Sequence, residues 1–438
     1  MTETFDVVIL GVGSGAEVLA PPLAEAGRRV AIVEKRLLGG ECPYFACMPS
    51  KALLHEAREG SDWATAVRRR DEVAEQRDDS AVEERLTGLG IAVLRGHGVI
   101  DGPGRLKVGD REIGWTDLVI NTGSVPVVPP IDGLDSAPTW TSDEALSSPD
   151  LPRRLTVLGG GPVGCELAQA YAALGSAVTL VEALDRLLAA EPEFVGVALA
   201  AALRDQGIDV RLGASLQRVD SGVLQLADGS HVDTDRVLIA VGRRPAVRDI
   251  GLESLGLAAD GPLEVDNSCR VPGVDHVWAI GDVTGLAPFT HTANYQGRVT
   301  AEVLLGRPAA VDLRAIPRAV YTSPAVYAVG LTPDTAKQQG IDLAVDGGEV
   351  ANTARGFAEN VSDGGRVELY ADRARGVLVG AAGIGMGADS WLAETTLAIR
   401  AQVPLRLYAD VVHAFPTWGE VLEPPLRRLA AEVQGGRE

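Results

Sequence analysis

The sequence predicts an α/β protein in which one parallel, doubly wound module occurs twice. Two observations carry this. FDVVILGVGSGAEVLA (5–20) and LTVLGGGPVGCELA (155–168) each run from a β-branched strand through a glycine-rich turn into a helical pattern. In both, 23 positions separate the first glycine from an acid ending the next apolar run, Gly11 to Glu34 and Gly159 to Glu182. A second echo closes each copy: LVINTGSVP (118–126) and VLIAVGRRP (237–245) both end an apolar strand with glycine, two residues and proline. The chain has 438 residues, which is more than one core usually holds, so two to four domains are expected.

The order strand, glycine turn, helix is what a pyrophosphate site needs. In Gly11-x-Gly13-x-x-Ala16 and Gly159-x-Gly161-x-x-Gly164, the first glycine allows the tight turn and the second lets backbone approach phosphate. The third small residue lets helix and strand pack closely. Ser14, Gly15 and Val163 open the two helices. Two such modules imply two dinucleotides, and the usual cellular pairing is a flavin with a nicotinamide. VWAIGDVTG (277–285) adds a strand ending in Gly281-Asp282, an acid suited to a hydroxyl-rich ribityl chain. Glu34, followed by Lys35, is placed to hold a ribose hydroxyl in the first module. In the second, the carboxylate of Glu182 accepts a ribose 2′-hydroxyl and repels a 2′-phosphate, and no basic residue follows before Arg186. NAD(H) is therefore expected over NADP(H).

Composition excludes several function classes. With 40 basic against 60 acidic residues the formal charge is −20, which repels nucleic acid and anionic lipid. The N-terminus MTETFDVVIL has no signal-peptide pattern, and no uncharged apolar run approaches the roughly 20 residues that span a bilayer, so a cytoplasmic, non-membrane protein is expected. In that reducing setting, Cys42 and Cys47 of GGECPYFACMPSK (39–51) are poor candidates for a structural staple. A zinc site lacks its second ligand pair, because Cys165 and Cys269 are isolated and the six histidines are scattered. No metal is expected, and a redox couple needs an electron source elsewhere in the chain.

Taken together, GVGSGA, GGECPYFACMPSK, NTGSVP, GGGPVGCE, AVGRRP, AIGDVTG and HAFPTWGE make the chain resemble the class I pyridine nucleotide-disulfide oxidoreductases, the group of dihydrolipoyl dehydrogenase, glutathione reductase and mercuric reductase. The resemblance implies two Rossmann-like domains, for FAD and NAD, plus a C-terminal α+β dimerisation domain. Its divisions fall at 1–145 (FAD domain, first part), 146–265 (NAD(P)H domain), 266–312 (return to the FAD domain) and 313–438 (dimerisation). It implies FAD contacts around Gly40, Glu41, Thr122 and Gly123, and nucleotide contacts around Gly242 and Arg243. By the same resemblance Cys47 faces the flavin and Cys42 exchanges with substrate. Lys51 approaches the flavin and pairs with Glu166. A homodimer is implied, each site completed by the partner's C-terminal segment and acting on a small molecule. His55 reads as structural, the role of His291 stays open, and Cys165 and Cys269 read as buried packing residues.

One family element is absent. Members acting on disulfides end in a His-Pro segment whose histidine, oriented by a glutamate, is the base of dithiol exchange. Here Phe415 stands at that position in HAFPTWGE; Glu420 remains, and His413 lies two residues earlier, pointing the same way along an extended segment but about 7 Å further on. General base catalysis is worth about 10² to 10⁴ in rate. Either His413 substitutes, the substrate needs no base, or the segment serves binding. Mercuric reductases have a similar Phe-Pro but add a C-terminal cysteine pair, and the last cysteine here is Cys269. Tyr44, Phe45, Phe415 and Trp418 concentrate aromatic residues in these two short motifs, which suggests either an apolar substrate wall or packing at the dimer interface. The alternatives to disulfide chemistry are a flavin-direct dehydrogenase or quinone or metal reductase, and a low-turnover flavin redox sensor.

Overall fold

The computed structural model describes residues 3–220, 222–361 and 365–435. The two repeated motifs nucleate two parallel sheets. In the first, Ala92–Arg95, Val30–Glu34, Glu3–Leu10 and Arg111–Ile120 lie side by side, with Val8 opposite both Ala31 and Leu118. Val30–Val33 is buried on both faces, as a central parallel strand covered by helices must be. An antiparallel extension, Arg105–Val108 and Gly98–Ile100, continues this sheet. In the second, the order is Asp209–Arg211, Ala177–Val181, Arg154–Leu158, Arg236–Ile239 and Thr139–Trp140, all parallel. Thr139–Trp140 thus pairs in the second sheet from upstream of the expected division at residue 146. Glu182 lies one residue past its strand.

The chain then returns. Val277–Ala279 pairs in parallel with Arg111–Ile120 of the first sheet, and the helix Thr290–Leu304 packs on the first module's helix, Ser14–Glu25. The approach is close enough that a Cβ on Gly297 would fall 2.4 Å from the carbonyl oxygen of Gly15. The closing segments that echo each other in sequence also meet in space: Ser124–Pro126 and Arg243–Pro245 form an antiparallel pair where the chain crosses between modules. The C-terminal region is a five-stranded antiparallel sheet, ordered Pro317–Val320, Ala325–Gly330, Val377–Gly385, Gly365–Asp372 and Leu343–Glu349, with the helix Glu423–Gly435 against it. No described helix is long and apolar enough to cross a membrane.

Candidate active site

Both glycine turns have the geometry the motif requires. Gly11 and Gly159 adopt φ of +91° and +106°, and a Cβ there would sit 2.5 Å from the Asn121 carbonyl oxygen and 2.4 Å from that of Ala240. Gly13 and Gly161 are the extended residues immediately before Ser14–Glu25 and Pro162–Ala173, so free amides of two helix N-termini face the turns. Ser14, Gly15 and Ala16 form the first turn of one helix, Val163 and Gly164 of the other. The two acids are tied identically. Glu34 accepts from the amides of Val12 (2.8 Å) and Arg36 (2.7 Å), and Glu182 from those of Gly160 (2.5 Å) and Leu184 (2.7 Å). Lys35 points to solvent. Arg186 folds back to the Ala189 carbonyl (3.1 Å) and so is not presented as a phosphate clamp beside Glu182.

The first module fits a pyrophosphate-linked cofactor on its own evidence. The Thr122 hydroxyl, on the turn that runs into Gly123, is covered and has no hydrogen-bond partner among the described residues, and Asn121 donates to the Gly11 carbonyl (3.0 Å) to brace the turn. Gly281 leads into Asp282, whose carboxylate accepts from Ser124 (2.7 Å). Arg243, expected at the nucleotide of the second module, instead donates to Ser124 (Nε to Oγ, 2.7 Å) and pairs with Glu41, beside Cys42. Gly242, immediately before it, is exposed. Burial pushes the Glu41 carboxyl above its usual range, against the pull of Arg243 and Arg36. The Asn121 brace and the chain Asp282–Ser124–Arg243–Glu41 were not legible from motif spacing.

Cys42 lies in the first turn of the short helix Glu41–Phe45 that follows Gly40, and Cys47 begins the next helix, Cys47–Glu59. Both are free thiols, and both are partly covered. Cys47 is the first residue of its helix, and its Sγ lies 3.4 Å from the hydroxyl of Thr290, itself the first residue of the helix Thr290–Leu304. The hydrogen bond from Cys42, then the Thr290 hydroxyl and the charge of Lys51, hold Cys47 below the ordinary thiol range despite burial. Its partner Cys42 is pushed up, because its proton is shared toward Cys47 and it too is desolvated. Lys51 Nζ meets Glu166 Oε2 at 2.7 Å, with Glu166 buried on Pro162–Ala173 of the second module. Thr290 is a further residue of this centre, and only the fold could reveal it.

The C-terminal segment differs from expectation. His413 and Phe415 do not point the same way: the His413 side chain is nine-tenths covered, whereas Phe415 is 77% exposed. Both ring nitrogens of His413 face carboxylates, Nε2 to Glu394 (3.0 Å) and Nδ1 to Glu423 (3.2 Å), so neither is free to take a proton from substrate within this chain. Glu420 accepts from the Thr417 amide (2.6 Å), closing the turn that carries Trp418. Within one chain the four aromatic residues are not gathered. Tyr44 is buried in the first module, Phe45 lies under the guanidinium groups of Arg36 and Arg77, and Trp418 packs under Arg355 in the C-terminal core. Tyr44 falls on the inward face of the short helix Glu41–Phe45, away from the rim of the site. A cavity of about 750 Å³ lined by His413, Phe415, Glu420, Glu423 and Arg428 includes none of Cys42, Cys47 or Lys51. His55 is exposed, His291 bonds the Pro317 carbonyl (2.9 Å) and stacks on Phe289, and Cys165 and Cys269 are buried. Among the described residues no group of three or more His, Cys, Asp or Glu side chains is placed to hold a metal ion.

Two dinucleotide turns, a cysteine pair at a helix start and a lysine-carboxylate pair beside it define a flavin- and pyridine nucleotide-dependent redox enzyme. Residues 5–297 match the pyridine nucleotide-disulphide oxidoreductase family and residues 316–425 its dimerisation domain, and the chain belongs to that family. It is similar to the dihydrolipoyl dehydrogenase of Halobacterium salinarum, 34% identical over 95% of this chain and 94% of that protein. It is also similar to the probable pyridine nucleotide-disulfide oxidoreductase RclA of Escherichia coli, 31% identical over 95% of this chain and 98% of that one. A solved structure of RclA in a Cu(II) complex, described as an HOCl-induced flavoprotein disulfide reductase, superposes with a TM-score of 0.87 at 30% identity, covering 99% of this chain and all of that one.

Proposed function

We propose that this chain is an NADH-dependent disulfide or dithiol oxidoreductase working through Cys42 and Cys47 on a small molecule, as a homodimer whose partner completes each site with its C-terminal segment. The observation that carries the reading is Cys47 at two helix starts, hydrogen-bonded by Cys42 and Thr290, beside the Lys51–Glu166 pair. FAD on the first module and NAD(H) on the second would supply two-electron transfer between nicotinamide and the cysteine pair. Glycine turns, helix N-termini, Thr122 and the Asp282 chain would hold the first cofactor; Glu182 and its turn would hold the second.

The chain's own groups then do the following. Cys42 attacks one sulfur of a substrate disulfide as thiolate, breaking the S–S bond, forming a mixed disulfide and releasing one substrate thiolate. Cys47 attacks the Cys42 sulfur, closing the Cys42–Cys47 disulfide and releasing the second thiolate. With Phe415 in the place of the usual base, the proton of Cys42 passes to the neighbouring Cys47 thiolate and from there to the substrate thiolate released in the first step, which leaves Cys47 deprotonated for its attack. Lys51, oriented by Glu166, holds positive charge beside the pair. The exposed ring of Phe415 supports a second reading, direct reduction of an apolar acceptor such as a quinone.

A turnover screen with NADH and NADPH against lipoamide, low-molecular-weight disulfides and quinones, on wild type and Cys42→Ser, tests the assignment. Disulfide turnover is expected to fall by roughly 10³-fold or more in the variant, as loss of a nucleophile does. Disulfide turnover that survives the substitution would overturn it, and quinone turnover alone would favour the second reading.

A further inference from the structure

We propose that Tyr321, at the entry to the C-terminal sheet, is a positioning residue that clamps both members of the Lys51–Glu166 pair and so ties the dimerisation domain to the redox centre. This rests on the reading of Lys51 and Cys47 above. The face of the Tyr321 ring lies 4.6 Å from Lys51 Nζ, and the Tyr321 amide donates to Glu166 Oε1 at 2.8 Å while Lys51 holds Oε2 at 2.7 Å. One residue therefore touches the cation through its ring and the anion through its backbone. The ammonium has Ser50 Oγ at 3.3 Å as its third neighbour, so the ring fills the direction that side-chain oxygens leave open.

The clamp is itself anchored. One turn beyond Glu166, Gln169 accepts from the Ser323 amide (2.8 Å) and donates to its carbonyl (2.8 Å), and Gln206 donates to the same oxygen (2.8 Å). Arg58, from the helix that carries Lys51, donates to the Tyr321 carbonyl. The loop 321–323 is thus fastened to a helix of each nucleotide-binding module, and Tyr321 is the place where all three regions meet. The charged and titratable groups around its ring are Lys51 and Cys47 from one helix, Glu166 from the second module, and Asp389 from the C-terminal domain. With the ring gone, Lys51 gains freedom to swing away from Cys47, and the thiolate loses part of its counter-charge.

The test is the pH dependence of Cys47 alkylation by iodoacetamide in the reduced holoprotein, in a Cys42→Ser background, where Cys165 and Cys269 are buried. Tyr321→Leu should raise the alkylation midpoint by about half a pH unit, a roughly 3-fold lower rate on the acid side, as expected for losing a partly exposed cation–π contact. Tyr321→Phe, which keeps the ring face, should titrate like the parent. A Tyr321→Leu profile that overlays the parent while Lys51→Met shifts it overturns the Tyr321 role alone. Flat profiles in both remove the Lys51 assignment as well. If Tyr321→Leu fails to fold, Tyr321→Phe shifted as far as Lys51→Met contradicts the ring-face account.

Discussion

The two nucleotide modules share a frame and differ in how they are finished. Equivalent turns, helix starts and acids superimpose motif on motif, but the first module is closed over by the returning chain, Val277–Ala279 and Thr290–Leu304. The corresponding rim of the second stays open. Around its turn Val163, Leu184 and Val241 are 42%, 54% and 45% exposed. The matching positions of the first are Gly15 beneath the returning helix, Thr122 with its covered hydroxyl, and Arg36, whose side chain is 44% exposed but tied to Asp143 at 2.9 Å. An enclosed polar cradle suits a cofactor that stays; an open apolar rim suits one that must enter and leave each turnover. The two modules share the binding frame, and the returning segment covers the first.

That contrast has consequences of graded size. Gly11→Val and Gly159→Val impose the same backbone clash on the two modules, each about 3 kcal/mol or more of local strain. The first should yield colourless, poorly folded protein. The second should keep its yellow FAD and lose NADH turnover by roughly 10²-fold or more, and equal flavin loss in both, read by absorbance, would erase the distinction. A smaller effect is expected at Glu182, where Glu182→Gln should lower kcat/KM for NADH by roughly 10- to 100-fold, from lost charge-assisted hydrogen bonds, with NADPH unchanged or improved. Steady-state kinetics with both nucleotides measures it. Smallest is Leu184→Ser, which should raise KM for NADH about 3- to 10-fold through lost apolar contact while leaving FAD content unaltered.

Legibility followed sequence distance. Both glycine turns, their acids, the closing strands, the return at Asp282 and the Lys51–Glu166 partnership could be read because each is a short local pattern or matches a family motif. Thr290 beside Cys47, Tyr321 on Lys51, and the chain Glu41–Arg243–Ser124–Asp282 could not. Those contacts join residues far apart in the chain, with no spacing to announce them. Tyr44 shows another limit: counting rings in a motif says nothing of which way each one faces, and this one is buried in the first module. His413 shows the same limit, since two carboxylates from separate helices, Glu394 and Glu423, turned it inward.

On the proposed function, reducing equivalents from the open module end on the sulfur pair beside the closed one. Anaerobic titration of the purified flavoprotein with NADH measures this directly. Two equivalents consumed per FAD, with the second lost in Cys42→Ser, is the result this arrangement requires. A single equivalent in wild type and variant alike would contradict it.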